Sequence, residues 1–178
     1  INVGRNDASG AMTVQNGSTV TLTGARAGSF ATLSVGGHHE GASYGDLTVD
    51  ASDVALSSGE GRAYLNVGKG AGSIGAASFD HGATLSLPSD DRAAIRLGEN
   101  SGAFGALSFM GGSTVTLNSA KSFIDVGSTA GAVGRLTIAG GSTVTLIADD
   151  TNDADVLVGA AFSNFGGRAM GGDGSVLV

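Results

Sequence analysis

The chain contains no cysteine and no tryptophan, a single proline, and only 14% charged residues. Without cysteine there can be no disulfide, so stability must come from packing. That suits a chain that crosses a membrane unfolded, although lack of cysteine identifies no compartment by itself. Basic residues are scarce: Lys and Arg total 9 against 16 Asp and Glu, for a net charge of −7. This argues against a nucleic-acid partner, whose binding relies on clustered cations. No apolar run approaches the roughly 18 residues of a membrane-spanning helix, so no such span is expected. Apolar residues at i, i+3, i+4 and i+7 are also missing, which leaves no amphipathic helix to propose.

What is abundant is glycine, with 32 copies. That is too many for helix interiors, which glycine weakens, and the copies lack the three-residue period of collagen. A glycine following an apolar residue falls at positions 4, 36, 68, 98, 127 and 159, giving spacings of 32, 32, 30, 29 and 32. A period near thirty, built from short alternating runs and glycine turns, marks a stacked solenoid.

Each unit divides into three short strands. The first is a triplet before the marker glycine, such as Leu65-Asn66-Val67 or Ile124-Asp125-Val126. Faces alternate along a strand. The outer members therefore point inward, and Asn2, Ser34, Asn66, Arg96, Asp125 and Leu157 point out. The second strand, as in Leu107-Ser108-Phe109, buries its first and third members. The third follows a tight turn at Asn16-Gly17, His81-Gly82, Gly111-Gly112 or Gly140-Gly141, dipeptides that tolerate positive φ. It reads Thr-Val-Thr-Leu or a close variant, with Val and Leu inward and Thr outward.

Like residues recur at one phase, and phase survives changes in loop length. Both features favour a right-handed parallel β-helix of about six coils over a meander of hairpins. At roughly 4.8 Å per coil the rod is about 29 Å long. Tyr44, Ile74, Phe104, Val133 and Phe165 each precede a glycine and are expected to form an apolar column under one corner. Residues 1–158 form the array. Residues 159–178 break the pattern and read as a degenerate last coil or a lead-in to another segment. The chain starts within a repeat and without Met, so a piece of something longer is expected, with open ends that favour end-to-end stacking on other copies.

Val126-Gly127 through Leu146, and next Leu97-Gly98 through Leu117, carry the phrase V-G-x(3-5)-G-A-x-G-x-L-T-V-x-G-G-S-T-V-T-L. It resembles the repeats in passenger regions of bacterial autotransporter-type surface proteins and other large adhesins. The resemblance covers residues 1–158 and implies a parallel β-helix, export, and a secreted or cell-surface location. The motif encodes corners and core and no chemistry.

Candidate chemistry is sparse. Gly70 to Gly75 match G-x-G-x-x-G, but a strand follows where a dinucleotide site needs a helix N-terminus, so corner glycines are preferred. His38-His39-Glu40 is the only histidine pair and reads as a solvated insertion, since a metal needs three or four ligands. Asp149, Asp150, Asn152, Asp153 and Asp155 form the most oxygen-rich stretch and are the candidate calcium ligands, without EF-hand or β-roll spacing. Asp50 and Asp80 occupy one outward position in adjacent coils, where they repel unless a cation or proton intervenes. A lyase would also need a cationic base on that face, and Lys69 and Arg62 fall at other corners. The outward pairs Thr19/Thr21, Thr114/Thr116 and Thr143/Thr145 form a column that offers a ligand or ice-binding surface, spoiled in coil two by Asp53 and Ala55. Arg96 and Asp125 are expected to make an exposed ion pair worth roughly 0–1 kcal/mol.

The expected role is a non-catalytic stalk or adhesive segment that meets a cell-surface glycan or protein. The alternatives are a glycan-active, polysaccharide lyase-like β-helix and an ice-binding surface.

Overall fold

The computed structural model describes residues 1–37, 41–149, 152, 154–159 and 173–178. The chain is an all-β parallel solenoid with three strands per coil. Coil one holds β1 (Asn2–Val3), β2 (Ser9–Val14) and β3 (Thr19–Gly24). Coil two holds β4 (Phe30–Val35), β5 (Tyr44–Asp50) and β6 (Asp53–Ser58). Coil three holds β7 (Arg62–Val67), β8 (Ile74–Asp80) and β9 (Thr84–Pro88). Coil four holds β10 (Arg92–Leu97), β11 (Phe104–Phe109) and β12 (Thr114–Asn118). Coil five holds β13 (Lys121–Val126), β14 (Val133–Ile138) and β15 (Thr143–Ile147). Strands β16 (Asp155–Val158) and β17 (Asp173–Leu177) begin a sixth coil.

Strands stack by position in the coil. The first sheet runs β1-β4-β7-β10-β13-β16, the second β17-β14-β11-β8-β5-β2, and the third β15-β12-β9-β6-β3. All pairings are parallel, and the register follows the sequence repeat. Val3, Val35, Val67, Leu97, Val126 and Val158 form one continuous ladder column. The core lies between the three sheets and is mostly aliphatic, with Phe79 and Phe109 fully buried in it. Their ring centres are 5.4 Å apart and tilted by 44°, a favourable offset for aromatic pairs.

The strands are longer than triplets. Most run five to seven residues, because the residues flanking each apolar triplet continue the inter-coil ladder. Two turns of the chain are set by backbone conformation. Asn16 and Gly17 have φ of 61° and 72°, and Gly111 and Gly112 have 59° and 78°, the paired left-handed geometry anticipated for the reversal before the third strand. At the corner from the first sheet to the second, coils touch backbone to backbone. A Cβ on Gly105 would run into the carbonyl of Val67 and the amide of Gly98.

Three expectations need correction. Tyr44, Ile74, Phe104 and Val133 do stack in register, but they lie on the outside, with Tyr44 54% and Ile74 39% exposed. A glycine follows each one and faces the backbone of neighbouring coils, which leaves the preceding side chain on the outer face. The residue that continues this column is Asp173, which pairs with Val133; Phe165 lies outside the described residues. Finally, Ser34, Asn66 and Asp125 point out of the first sheet yet are buried, at 0%, 0% and 4% exposure. On the Asp125 side, corner residues such as Glu99, Asn100, Ser128 and Thr129 lie over the outer face of the sheet.

Candidate functional site

The outer face of the first sheet holds a polar groove of about 270 Å³. Its construction follows from strand register. Side chains at alternate positions of β7, β10 and β13 face outward, and pairing aligns them into three columns. Arg62, Arg92 and Lys121 form the first. Tyr64, Ala94 and Phe123 form the second. Asn66, Arg96 and Asp125 form the third.

Ala94 is the key to the packing. It separates Tyr64 and Phe123 by two rungs, or about 9–10 Å, and its own side chain is too small to fill the gap. The Arg96 guanidinium occupies that gap, 4.7 Å from the Tyr64 ring centre and 5.6 Å from that of Phe123. Arg92 approaches Phe123 at 5.8 Å and Arg62 approaches Phe30 at 5.8 Å. Such contacts strengthen when desolvated, and here Tyr64, Ala94 and Phe123 form a small buried cluster outside the main core.

The cations differ in how they are neutralised. Arg62 Nε lies 2.6 Å from Asp91 Oδ2. Arg96 Nη1 is 3.1 Å from Glu99 Oε1, and Glu99 Oε2 is 3.2 Å from Lys69 Nζ. Among the described residues no carboxylate lies within ion-pair distance of Arg92, and its Nε is buried without a hydrogen-bond acceptor. The anticipated Arg96–Asp125 ion pair is not formed as an exposed contact. Arg96 is turned onto the rings and Glu99, and Asp125 is buried.

Burial pushes the Asp125 carboxyl up to about 6. A Ser128 hydrogen bond and the Arg96 charge oppose that rise, while Glu99 adds to it. Its Oδ1 has no hydrogen-bond partner. A buried acceptor left unpaired is costly, and such perturbed carboxyls concentrate at functional sites.

The acidic pair sits elsewhere. Asp50 and Asp80 are ladder partners, and the group that intervenes between them is His81. Its Nδ1 is 2.6 Å from Asp50 Oδ1 and 3.9 Å from Asp80 Oδ2. The hydrogen bond to Asp50, followed by the charges of Asp80 and Asp50, raises the imidazole above its ordinary value. The cluster is exposed on a turn, with the His81 and Asp50 side chains 72% and 47% accessible.

The Thr columns are in register as anticipated. Thr19, Asp53, Thr84, Thr114 and Thr143 align, as do Thr21, Ala55, Ser86, Thr116 and Thr145. Asp53 interrupts the first column and accepts a hydrogen bond from Thr84 Oγ1. Of the candidate calcium ligands, Asp150 and Asp153 lie outside the described residues, as do His38, His39 and Glu40. Asn152 Nδ2 donates to Asp149 Oδ1 at 2.8 Å, so it presents a donor to that carboxylate. Asp155 is part of β16 beside Phe123. Among the described residues no three His, Asp or Glu side chains gather as a metal site. The stretch from Gly70 to Gly75 leads into β8, as the corner reading requires.

Sequence reasoning missed Tyr64, Arg92, Lys121 and Phe123 as a group. The signal was present: Arg62, Arg92 and Lys121 follow the spacing of the marker glycines, three positions before the start of each assumed strand. Compared with family models, curated proteins and solved structures, the chain matches none.

Proposed function

We propose that this chain is a non-catalytic stalk or display segment of a secreted or surface-displayed bacterial protein, of the adhesin type that its repeats resemble. One observation carries the reading. Three in-register parallel ladders run through the stacked coils, which makes a stiff rod whose outer residues form regular columns. Corner loops can vary without disturbing that frame, as in other solenoids whose extended surfaces bind partners. The partner class is a cell-surface glycan or protein. The test is binding of the purified chain to immobilised glycans, run alongside an assay for product release. Saturable binding without new product supports the reading, and sustained turnover removes it.

The glycan-active alternative gains one observation. The groove gathers a carboxyl raised to about 6 with Arg92 and Lys121, groups that acid–base chemistry on an acidic sugar would use. The same product assay separates the two. Ice binding is weaker, because Asp53 and Ala55 interrupt both Thr columns in coil two. Self-association belongs to the first reading. Met12, Val20 and Leu22 in the first coil are only partly buried, and light scattering at rising concentration tests stacking of the isolated chain. A strictly monomeric rod removes that part.

A further inference from the structure

We propose that the outer face of the second sheet docks a second copy of this chain, with the two rods antiparallel and Asp46 of each paired to Arg135 of the other. This goes beyond the display reading, is distinct from end-to-end stacking, and does not depend on what the first sheet binds.

Strand register builds the face. Outward positions of β5, β8, β11 and β14 align into columns. Tyr44, Ile74, Phe104 and Val133 make the first, and Asp46, Ala76, Ala106 and Arg135 the second. A third column, from Thr48 to Thr137, is all Ser and Thr. The alanines leave a shallow trough of about 300 Å³. Beside it runs an apolar ridge on which Tyr44 is 54% and Ile74 39% exposed.

The second column ends in an acid on one side and a base on the other. Asp46 and Arg135 are three rungs, or about 14 Å, apart, too far to meet within one chain. Among the described residues no cation lies within ion-pair distance of Asp46, and no carboxylate within that of Arg135. Arg135 lies over the Phe104 ring at 5.6 Å, and Asp46 accepts a long, 3.5 Å hydrogen bond from Thr48 Oγ1.

A two-fold contact pairs residue i of one copy with residue j of the other, and j with i. With that axis along the strands, midway between β8 and β11, rung order reverses across the contact while position along the strand is kept. Asp46 then faces Arg135 of the second copy, twice over, and Ala76 faces Ala106 with nothing bulky between. Ile74 meets Phe104, and Tyr44 meets Val133. The acidic edge of the face is also accommodated. Asp50 comes opposite Ala139 and Asp80 opposite Met110, the residues that continue that column.

Parallel rods would not achieve this. Each rung would meet its own counterpart, leaving Asp46 and Arg135 about 14 Å out of step. Charge therefore selects the orientation, as complementary potentials do in other interfaces. Aligned sheets pack about 10 Å apart, a gap that an arginine and an aspartate reaching toward each other span. The six strands of this sheet are five to seven residues long, which gives a face of about 500–600 Å². Two such faces bury about 1,100 Å², at the lower edge of specific interfaces. The dimer is accordingly weak, with a Kd on the order of 100 μM.

The experiment is sedimentation velocity on the full chain from about 5 to about 500 μM, a range that brackets that affinity. Mass should rise to two copies and stop there, because a two-fold contact closes on itself whereas end-to-end stacking does not. Arg135→Glu and Asp46→Arg should each weaken the dimer about tenfold or more. The two swaps combined should restore it, since opposite charges again face each other. Arg26→Glu, on the corner loop between β3 and β4, is the charge-matched comparison and should change nothing. Circular dichroism checks that each variant is folded. A chain that stays monomeric throughout overturns the proposal, as does a dimer indifferent to Arg135→Glu or one that the combined swap fails to restore. Mass that climbs past two copies and ignores Arg135→Glu assigns association to the open ends of the rod and overturns it as well.

Discussion

His81 Nδ1 lies 2.6 Å from Asp50 Oδ1, one coil away. The imidazole thereby bridges two carboxylates that share a rung, since Asp80 is the ladder partner of Asp50. A stacked acidic pair would otherwise repel across about one strand spacing.

The first prediction concerns this bridge. The His81 imidazole should titrate above the ordinary 6.5, and Asp50→Asn should bring it down, because the Asp50 hydrogen bond is the largest cause. Its stabilising effect is complete below the unfolded-state value and is lost as pH rises through the raised folded value. Proton NMR of the ring resonances reads this directly. A histidine that titrates identically in both proteins would mean the bridge is absent in solution.

Asp125 has the same pH sign for a different reason: burial disfavours its charged form, whereas a partner favours that of His81. Its folded carboxyl is raised from 3.8 to about 6, so the folded state holds its proton more tightly than the unfolded chain does. Stability should therefore fall as pH rises from about 4 to about 6, then level off. The two-unit shift corresponds to about 3 kcal/mol at most. Asp125→Asn should raise the urea midpoint at pH 8 and leave it nearly unchanged at pH 4. An equal effect at both values would show that burial of charge is not the cause.

Phe109 is fully buried and stacks on Phe79. Phe109→Ala should cost about 3–5 kcal/mol, combining lost transfer free energy with a cavity that stiff coils cannot close. Equilibrium urea unfolding measures it, and a loss below about 1 kcal/mol would mean the coils collapse around the gap.

Two backbone positions should respond in opposite directions. Gly105→Ala places a methyl against the Val67 carbonyl of the preceding coil and should destabilise by about 1–3 kcal/mol or more. Ala51 is held at φ 45°, a conformation that costs an L-residue roughly 1–2 kcal/mol. Ala51→Gly should therefore stabilise by about 1 kcal/mol, in a protein where most substitutions do the reverse. Thermal unfolding of both variants checks the pair.

Much of the fold was legible because a solenoid repeats its constraints. The marker glycines recur because the corner brings backbones too close for a Cβ, as at Gly105. The Thr-Val-Thr-Leu runs recur because alternation must hold one face inward through every coil. Those local demands write themselves into spacing and residue type, so sheet order and register followed from the repeat. Strand length did not, since Tyr64, Ala94 and Phe123 put apolar residues on the outer face and hide the alternation that continues through Ala63, Leu65 and Val67.

The candidate site was legible only in part. The sequence by itself determined the phase that aligns Arg62 with Arg92 and Lys121, and Asn66 with Arg96 and Asp125. Only the tertiary structure decided what those columns do. Alternation says that Asp125 points away from the core, but not that corner residues such as Glu99 and Ser128 lie beside it there. Nor does it say that Arg96 leaves Asp125 for the space above Ala94, between two rings. Burial of an outward side chain depends on how the loops of neighbouring coils fold over the sheet. That is a property of three-dimensional packing, and no periodicity along one chain encodes it.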